Sequence, residues 1–299
     1  MKIALCFIIS YNHILNKEKI WREWIESNKD IINIYFYYTD LHKINSEWIR
    51  KYVIPEQNIY PTSYYHIIPA YLSLLDYAIM QDYRNQWFCF LTDACCPIIS
   101  PEKFRYLFYT NYNKSILKWQ RAWWNVQFHK RGNLSLLPEE LRLANDPWFV
   151  LQREDGIRVL QFSKQQQYLT SVVCKGGLAN ESLFAIIFYF TKQLSTIISQ
   201  STHITDWRRM TSSTSPYLFK TCNENDLTFI DNELKNNDYA IFLRKVDEEF
   251  PNEIINQYIY KKNILCWRER CMLFSLSFWF KMKYIFVDLI NIIIKQLQF

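Results

Sequence analysis

Apolar residues along this chain gather into short unbroken runs, separated by amphipathic stretches. Strands buried on both faces, alternating with helices, produce that rhythm. Residues 2–10 predict a first strand, closed by Tyr11-Asn12. Ile20, Trp21 and Trp24 share one face of a helix over about 16–28, and residues 31–38 predict a second strand ending at Thr39-Asp40. Two strands joined by a helix imply a βαβ unit with a right-handed crossover. Ile59-Tyr60 reads as a short third strand. Thr62 and Ser63 then offer hydroxyl caps for a helix over 65–82.

The strongest local signal is Trp87-Phe88-Cys89-Phe90-Leu91-Thr92-Asp93-Ala94-Cys95-Cys96-Pro97-Ile98. An apolar run stops at a polar step, and a proline follows that cannot continue a central strand. Ligands of α/β sheets sit outside the carboxyl ends of such strands. Asp93 is therefore either a sugar or nucleotide contact or the cap of the next turn.

Further on, the pattern predicts a helix from Pro101 to about Tyr109, an edge strand at 114–117, a strand at 148–153 and a helix at 154–163. Residues 118–147 read as an irregular aromatic loop holding Trp119, Arg121, Trp123 and Trp124. Trp with Arg holds sugar rings by stacking and bidentate contacts; these tryptophans are either such a sugar platform or simply core. Ala179-Asn180-Glu181-Ser182-Leu183-Phe184 opens an apolar helix to about Ile198. In a helix's first turn Glu181 gains from the dipole. It is either a plain N-terminal acid or a general base at the mouth of a site. A Ser/Thr-rich loop ends at Pro216, a further short element follows, and then the stretch at residues 241–247.

Composition narrows the chemistry. The only glycines are Gly132, Gly156, Gly176 and Gly177, so no glycine-rich phosphate loop exists and a nucleotide must be held otherwise. A net charge of +6 is scattered over 299 residues without a basic run, which argues against nucleic acid and suits an anionic nucleotide-sugar. Eight cysteines without a C-x-x-C, and five dispersed histidines, make no metal constellation. The cysteines read as small buried hydrophobes of a reducing compartment. The apolar run at 3–9 is too short for a secretory signal, and no run of 18 apolar residues occurs. The expected location is cytoplasmic, or membrane-associated on the cytoplasmic face.

The order of these stations resembles the core-2/I-branching β-1,6-N-acetylglucosaminyltransferase family, glycosyltransferase family 14, which includes xylosyltransferases. Residues 2–12 look like its first strand, and Pro61-Thr62-Ser63-Tyr64 like its serine before a long helix. Residues 87–98 look like its "W-F-x-x-L-S-D-x-C-x-P-L". Trp148-Phe149-Val150-Leu151-Gln152-Arg153 resembles "Q-W-F-x-L-x-R", residues 179–184 resemble "P-D-E-H-Y-F", Thr205-Asp206-Trp207 resembles "x-V-x-W", and residues 241–246 resemble "L-F-A-R-K-F". The resemblance implies an α/β, GT-A-like Rossmann-type fold, a mostly parallel sheet flanked by helices, without the usual metal-binding D-x-D. It implies inverting transfer from a UDP-sugar to a glycan or glycoprotein acceptor, with no metal and no other cofactor. Glu181 stands at the catalytic base. Lys245 stands at the diphosphate, with Lys220, Arg244 and Arg208 as further basic partners. Asn12, Ser63 and Asp93 are expected at the donor nucleotide or sugar; Trp207 matches an acceptor-contacting aromatic, and Trp119 and Arg121, from their own chemistry, are expected at the acceptor too.

Two departures stand out. The family's Asp-Glu-His reads Asn180-Glu181-Ser182, and its small-residue turn before "W-F" reads Leu143-Ala144-Asn145-Asp146-Pro147. They keep open a catalytically inactive relative that holds a nucleotide or glycan. The resemblance covers about 1–250. Residues 251–299 form a separate helical extension, where Phe274, Phe278, Trp279, Tyr284, Phe286, Ile290 and Ile293 mix with Lys281, Lys283 and Lys295. Residues 272–299 are either a membrane-surface helix or a helix packed back on the main domain.

Overall fold

The computed structural model describes residues 1–297 except 64, 213–214 and 263, and describes the side chains of the last helix as far as residue 283. In chain order the elements are β1 (Lys2–Ile8), α1 (Glu18–Glu26), β2 (Ile32–Tyr37), α2 (Glu47–Arg50), α3 (Ile68–Gln81), β3 (Asn85–Thr92), β4 (Cys95–Pro97) and α4 (Pro101–Asn111). There follow β5 (Trp119–Arg121), β6 (Leu143–Asn145), β7 (Val150–Gln152), α5 (Arg153–Gln165), α6 (Gln167–Lys175) and α7 (Leu183–Phe190). The chain closes with β8 (His203–Thr205), α8 (Glu224–Asn236), β9 (Phe242–Arg244), α9 (Asn252–Gln257) and α10 (Trp267–Leu297).

The main sheet has the order β2-β1-β3-β7. β1 pairs parallel with β2 and β3, while β7 runs antiparallel to β3. This is an α/β fold with a mostly parallel sheet flanked by helices. β1 feeds alternate residues to two cores: Ile3, Leu5 and Phe7 face one, and Ala4, Cys6 and Ile8 face the other. That period of two explains an unbroken apolar run in a strand covered on both sides.

On the first face, α1 buries Ile20, Trp21, Trp24 and Ile25. Its two indoles donate to the carbonyls of Cys95 and Ile99, both at 2.9 Å. Trp21 also meets Phe7 edge-on at 4.9 Å. Each such fully buried side chain stabilises by about 1.5–3 kcal/mol. α4 starts on Ser100, whose hydroxyl accepts from Lys103 N, with Pro101 in the first turn. On the second face lie α3, α5 and the all-apolar α7, which is buried from Leu183 to Phe188.

Several local expectations shift. Ile59-Tyr60 is extended but unpaired in a sheet; the Tyr60 N–H goes to Ser73 Oγ at 2.9 Å. The next helix starts at Ile68, and Ile67 precedes it without a side-chain cap. Thr62 instead accepts from the Tyr37 hydroxyl at 3.1 Å. In 114–117 only Ile116 makes isolated bridges, to Val150 and to Ile198. The aromatic stretch 118–147 is not wholly irregular, because β5 and β6 form an antiparallel ribbon. The apolar helix ends at Phe190, not near Ile198. The chain turns there through Lys192 at φ 60°, and Gln193 N returns to the Phe188 carbonyl at 2.7 Å.

β4, β9 and β8 form a second sheet, with Pro97 ending its edge strand β4. α9 and the turn after it bury Ile255, Tyr258 and Ile259 in the first core. α10 lies against α4, with Phe280 packed on Tyr109 at 4.9 Å. Among the described residues no helix is long and apolar enough to cross a membrane. All eight cysteines are free thiols, and Cys6, Cys89, Cys95 and Cys96 are buried.

Candidate active site

The carboxyl edges of β1 and β3 deliver Asn12 and Asp93 to one place, where Asn12 Nδ2 donates to Asp93 Oδ2 at 3.0 Å. The loop after β1 also holds the end of β9. Asn16 N donates to the Asp93 carbonyl at 3.0 Å, and Asn16 Nδ2 donates to the Val246 carbonyl at 2.7 Å. β4 pairs Cys95 with Arg244, so the second sheet lays Arg244 and Lys245 beside Asp93. Burial pushes the Asp93 carboxyl above its ordinary range, against the pull of Arg244, Asn12 and Lys245. Burial pushes the Lys245 ammonium down, as does the neighbouring Arg244, while Asp93 pulls it up. Lys245 Nζ donates to Ser215 Oγ at 3.3 Å.

Glu181 forms the second pole. It ends a 3₁₀ turn, Ala179–Glu181, ahead of α7, so it does not sit in the helix's first turn and the dipole argument does not apply. Its side chain is 15% exposed and faces Arg131 at 3.5 Å. Burial raises the carboxyl, Arg131 and Arg244 lower it, and Asp146 raises it; the net direction is up. Asn145, at the end of β6, fixes this turn. Its Nδ2 donates to the Asn180 carbonyl at 2.8 Å, and its Oδ1 accepts from Ala185 N at 3.1 Å.

Arg131 is placed by a tight crossing of two chain segments. Gly132 N donates to the Gly177 carbonyl at 2.9 Å. A Cβ on Gly176 would lie 2.3 Å from Asn133 N, so that crossing requires glycine. Gly132 adopts φ +57°, the left-handed region open to glycine. The Arg131 guanidinium lies 5.4 Å from the Trp124 ring centre, and Trp124 meets the exposed Trp123 edge-on at 4.9 Å.

Arg244 acts electrostatically on both poles, since it lowers the Asp93 and the Glu181 carboxyls. Its guanidinium sits 5.2 Å from the Trp148 ring centre. It lines a cavity of about 110 Å³ with Lys118, Asp146, Trp148, His203 and Trp207. Burial, and then Arg244, keep His203 well below its ordinary pKa, so the ring is neutral. His203 Nε2, Trp148 Nε1 and Arg244 Nε are buried without a hydrogen-bond partner, which suits a polar ligand in that cavity.

Of the other expected residues, Trp207 joins the cavity and the rest scatter. Trp207 is half-exposed on the cavity wall. Lys220 is exposed and paired with Glu249 at 3.1 Å. Arg208 is exposed, its N–H accepted by Asp206 Oδ1 at 2.8 Å. Arg121 donates to the Glu139 carbonyl at 2.6 Å. Trp119 packs on the second core. Ser63 is exposed and bridges to His66. Arg131, Asn145, Asp146 and His203 escaped the sequence reading. Asn145 and Asp146 did carry a signal, a polar pair ahead of Trp148. Arg131 carried none beyond standing next to a glycine. Among the described residues no group of three or more His, Cys, Asp or Glu side chains stands together as a metal-ligand set.

A family model described as Branch: Core-2/I-Branching enzyme matches residues 34–231. A search of curated proteins finds no match.

Proposed function

The chain belongs to the Core-2/I-branching enzyme family and is thereby a glycosyltransferase; we propose that it moves a sugar, GlcNAc or xylose, from a UDP-sugar to an acceptor hydroxyl with inversion and without a metal. The observation that carries this reading is Glu181: a carboxylate largely shielded from solvent, raised by burial, held by Arg131 at 3.5 Å, and sharing with Asp93 the electrostatic influence of Arg244. A base works best with its pKa brought toward the working pH. In the reaction the Glu181 carboxylate takes the proton of the acceptor hydroxyl. The acceptor oxygen forms its bond to C1 of the sugar as the C1–phosphate oxygen bond breaks. The electron pair leaves with UDP, whose growing charge Lys245 and Arg244 stabilise from fixed positions. A GT-A-like arrangement is consistent with the sheet and its loaded carboxyl edge. The acceptor is a glycan or glycoprotein, approached past Trp207 and Trp123.

Release of UDP by the purified chain, with EDTA present and a panel of UDP-sugars, tests this. One donor turns over, and Glu181→Gln lowers kcat by roughly 10²–10⁴-fold while leaving UDP binding intact. Lys245→Ala weakens UDP binding by roughly tenfold or more, the loss expected for a charge-assisted hydrogen bond. Turnover that EDTA abolishes overturns the metal-free part, and turnover that survives Glu181→Gln removes the base assignment. UDP binding without turnover in either protein would favour the inactive relative, which the replaced neighbours Asn180 and Ser182 keep in view.

A further inference from the structure

α10 has two unlike faces as far as residue 283. Its inner face, with Leu273, Leu276 and Phe280, packs on α4 and the first core, and Phe280 is 3% exposed. Its outer face carries Trp267, Cys271, Phe274, Phe278 and Met282, at steps of four, three, four and four residues. Those steps keep one stripe in line along a helix. Phe274 is 77% exposed and Phe278 63%, where a lone helix packed on its domain would turn polar residues outward. Arg268, Arg270, Lys281 and Lys283 are exposed along the same stretch. The single acid there, Glu269, is spent on Cys266 N, which donates to its Oε2 at 2.8 Å. Trp279 lies beside the stripe with Lys283 5.2 Å from its ring centre.

We propose that the outer face of α10 docks the protein on an anionic lipid surface. Aromatic side chains enter the boundary between headgroups and acyl chains, and flanking cations meet anionic headgroups. The helix lies along the surface rather than crossing it, since no described helix is long and apolar enough to cross. A second copy of the chain is the poorer partner, because two such faces would bring four cations against four with one spent acid on each side. The side chains of Tyr284, Phe286, Ile290, Ile293 and Lys295 lie outside the described residues.

Cosedimentation of the full chain with vesicles tests it, using phosphatidylcholine alone and phosphatidylcholine with phosphatidylserine. The chain pellets with the phosphatidylserine vesicles, much less with phosphatidylcholine alone, and binding weakens as salt rises. Phe274→Ser with Phe278→Ser abolishes pelleting while circular dichroism is unchanged. Lys281→Glu with Lys283→Glu, both exposed, lowers the partition by roughly tenfold or more, with circular dichroism again unchanged. Absence of pelleting with either vesicle overturns the proposal. So does pelleting that both variants leave unchanged. A dimer in light scattering that the Phe274→Ser, Phe278→Ser pair dissolves would assign the stripe to a second copy instead.

Discussion

At the residue scale the reading turns on Glu181 and the two guanidinium groups around it. Its neighbours in sequence promised helix-dipole stabilisation, which lowers a carboxyl pKa. Its neighbours in space do the reverse, because burial outweighs Arg131 and Arg244 and the carboxyl rises. Only the ionised form accepts a proton, so activity falls as pH drops through that raised pKa. Arg131 pulls the value down. Arg131→Met therefore moves the acid limb of kcat/KM to higher pH and leaves the plateau above it in place. Arg131→Lys keeps the charge and keeps the limb close to the parent's. A pH profile of the three proteins checks this, and a limb that stays put in Arg131→Met would make Arg131 a bystander.

At the element scale, the crossing of residues 130–133 with 176–178 sets where Arg131 and Glu181 meet. Gly176→Ala must push backbone away, since its Cβ would sit 2.3 Å from Asn133 N and 2.6 Å from Gly132 C. Forcing atoms into a packed site costs about 1–3 kcal/mol, and here the displacement also opens the ion pair. Thermal melting and turnover should both fall. Gly177→Ala is the control: its Cβ would meet only Tyr65 Cβ, at an ordinary 3.7 Å, so both measurements should stay near the parent's. Had the two variants behaved alike, the crossing would not be the positioning device. This crossing also marks where legibility ends. β1, α1, β2 and β3 were readable because their apolar periods are local, and the place of Asp93 at a sheet edge was readable because a strand end is a local event. The four glycines were read only as too few for a phosphate loop. The use of three of them, Gly132, Gly176 and Gly177, as a contact between two distant segments leaves no periodic trace. Arg131, His203 and the hydrogen-bonding role of Asn145 were hidden for the same reason. The Ile59-Tyr60 strand failed because extended backbone needs a free sheet edge beside it, and Tyr60 N is taken by Ser73.

At the scale of the molecule, the loop after β1 ties residues 12–17 to residues 246–252 through the site. Asn12 and Asn16 hold Asp93, and Asn16 holds Val246 beside Lys245. Lys17 completes the tie: its buried Nζ donates to the carbonyls of Glu248 at 2.5 Å and Phe250 at 2.6 Å, and to Asn252 Oδ1 at 3.1 Å. Burial lowers the Lys17 pKa, with Cys96, Asp247 and Glu248 pulling it back up. These contacts span more than 230 positions, so they belong to the whole fold and to no element of it. Lys17→Met keeps the aliphatic stem and removes the donor, leaving two backbone carbonyls to find other partners. The expected cost is about 1–3 kcal/mol, a melting point lower by roughly 2–4 °C for each kcal/mol in a domain of this size. Because the same segment carries Lys245, the variant should also bind UDP more weakly at temperatures where it is fully folded. A lower melting point with unchanged UDP affinity would mean that the tie stabilises the fold without shaping the donor pocket. Weaker UDP binding in the folded variant would mean that the first loop and the last strand act as one binding unit, assembled only when the whole chain has closed.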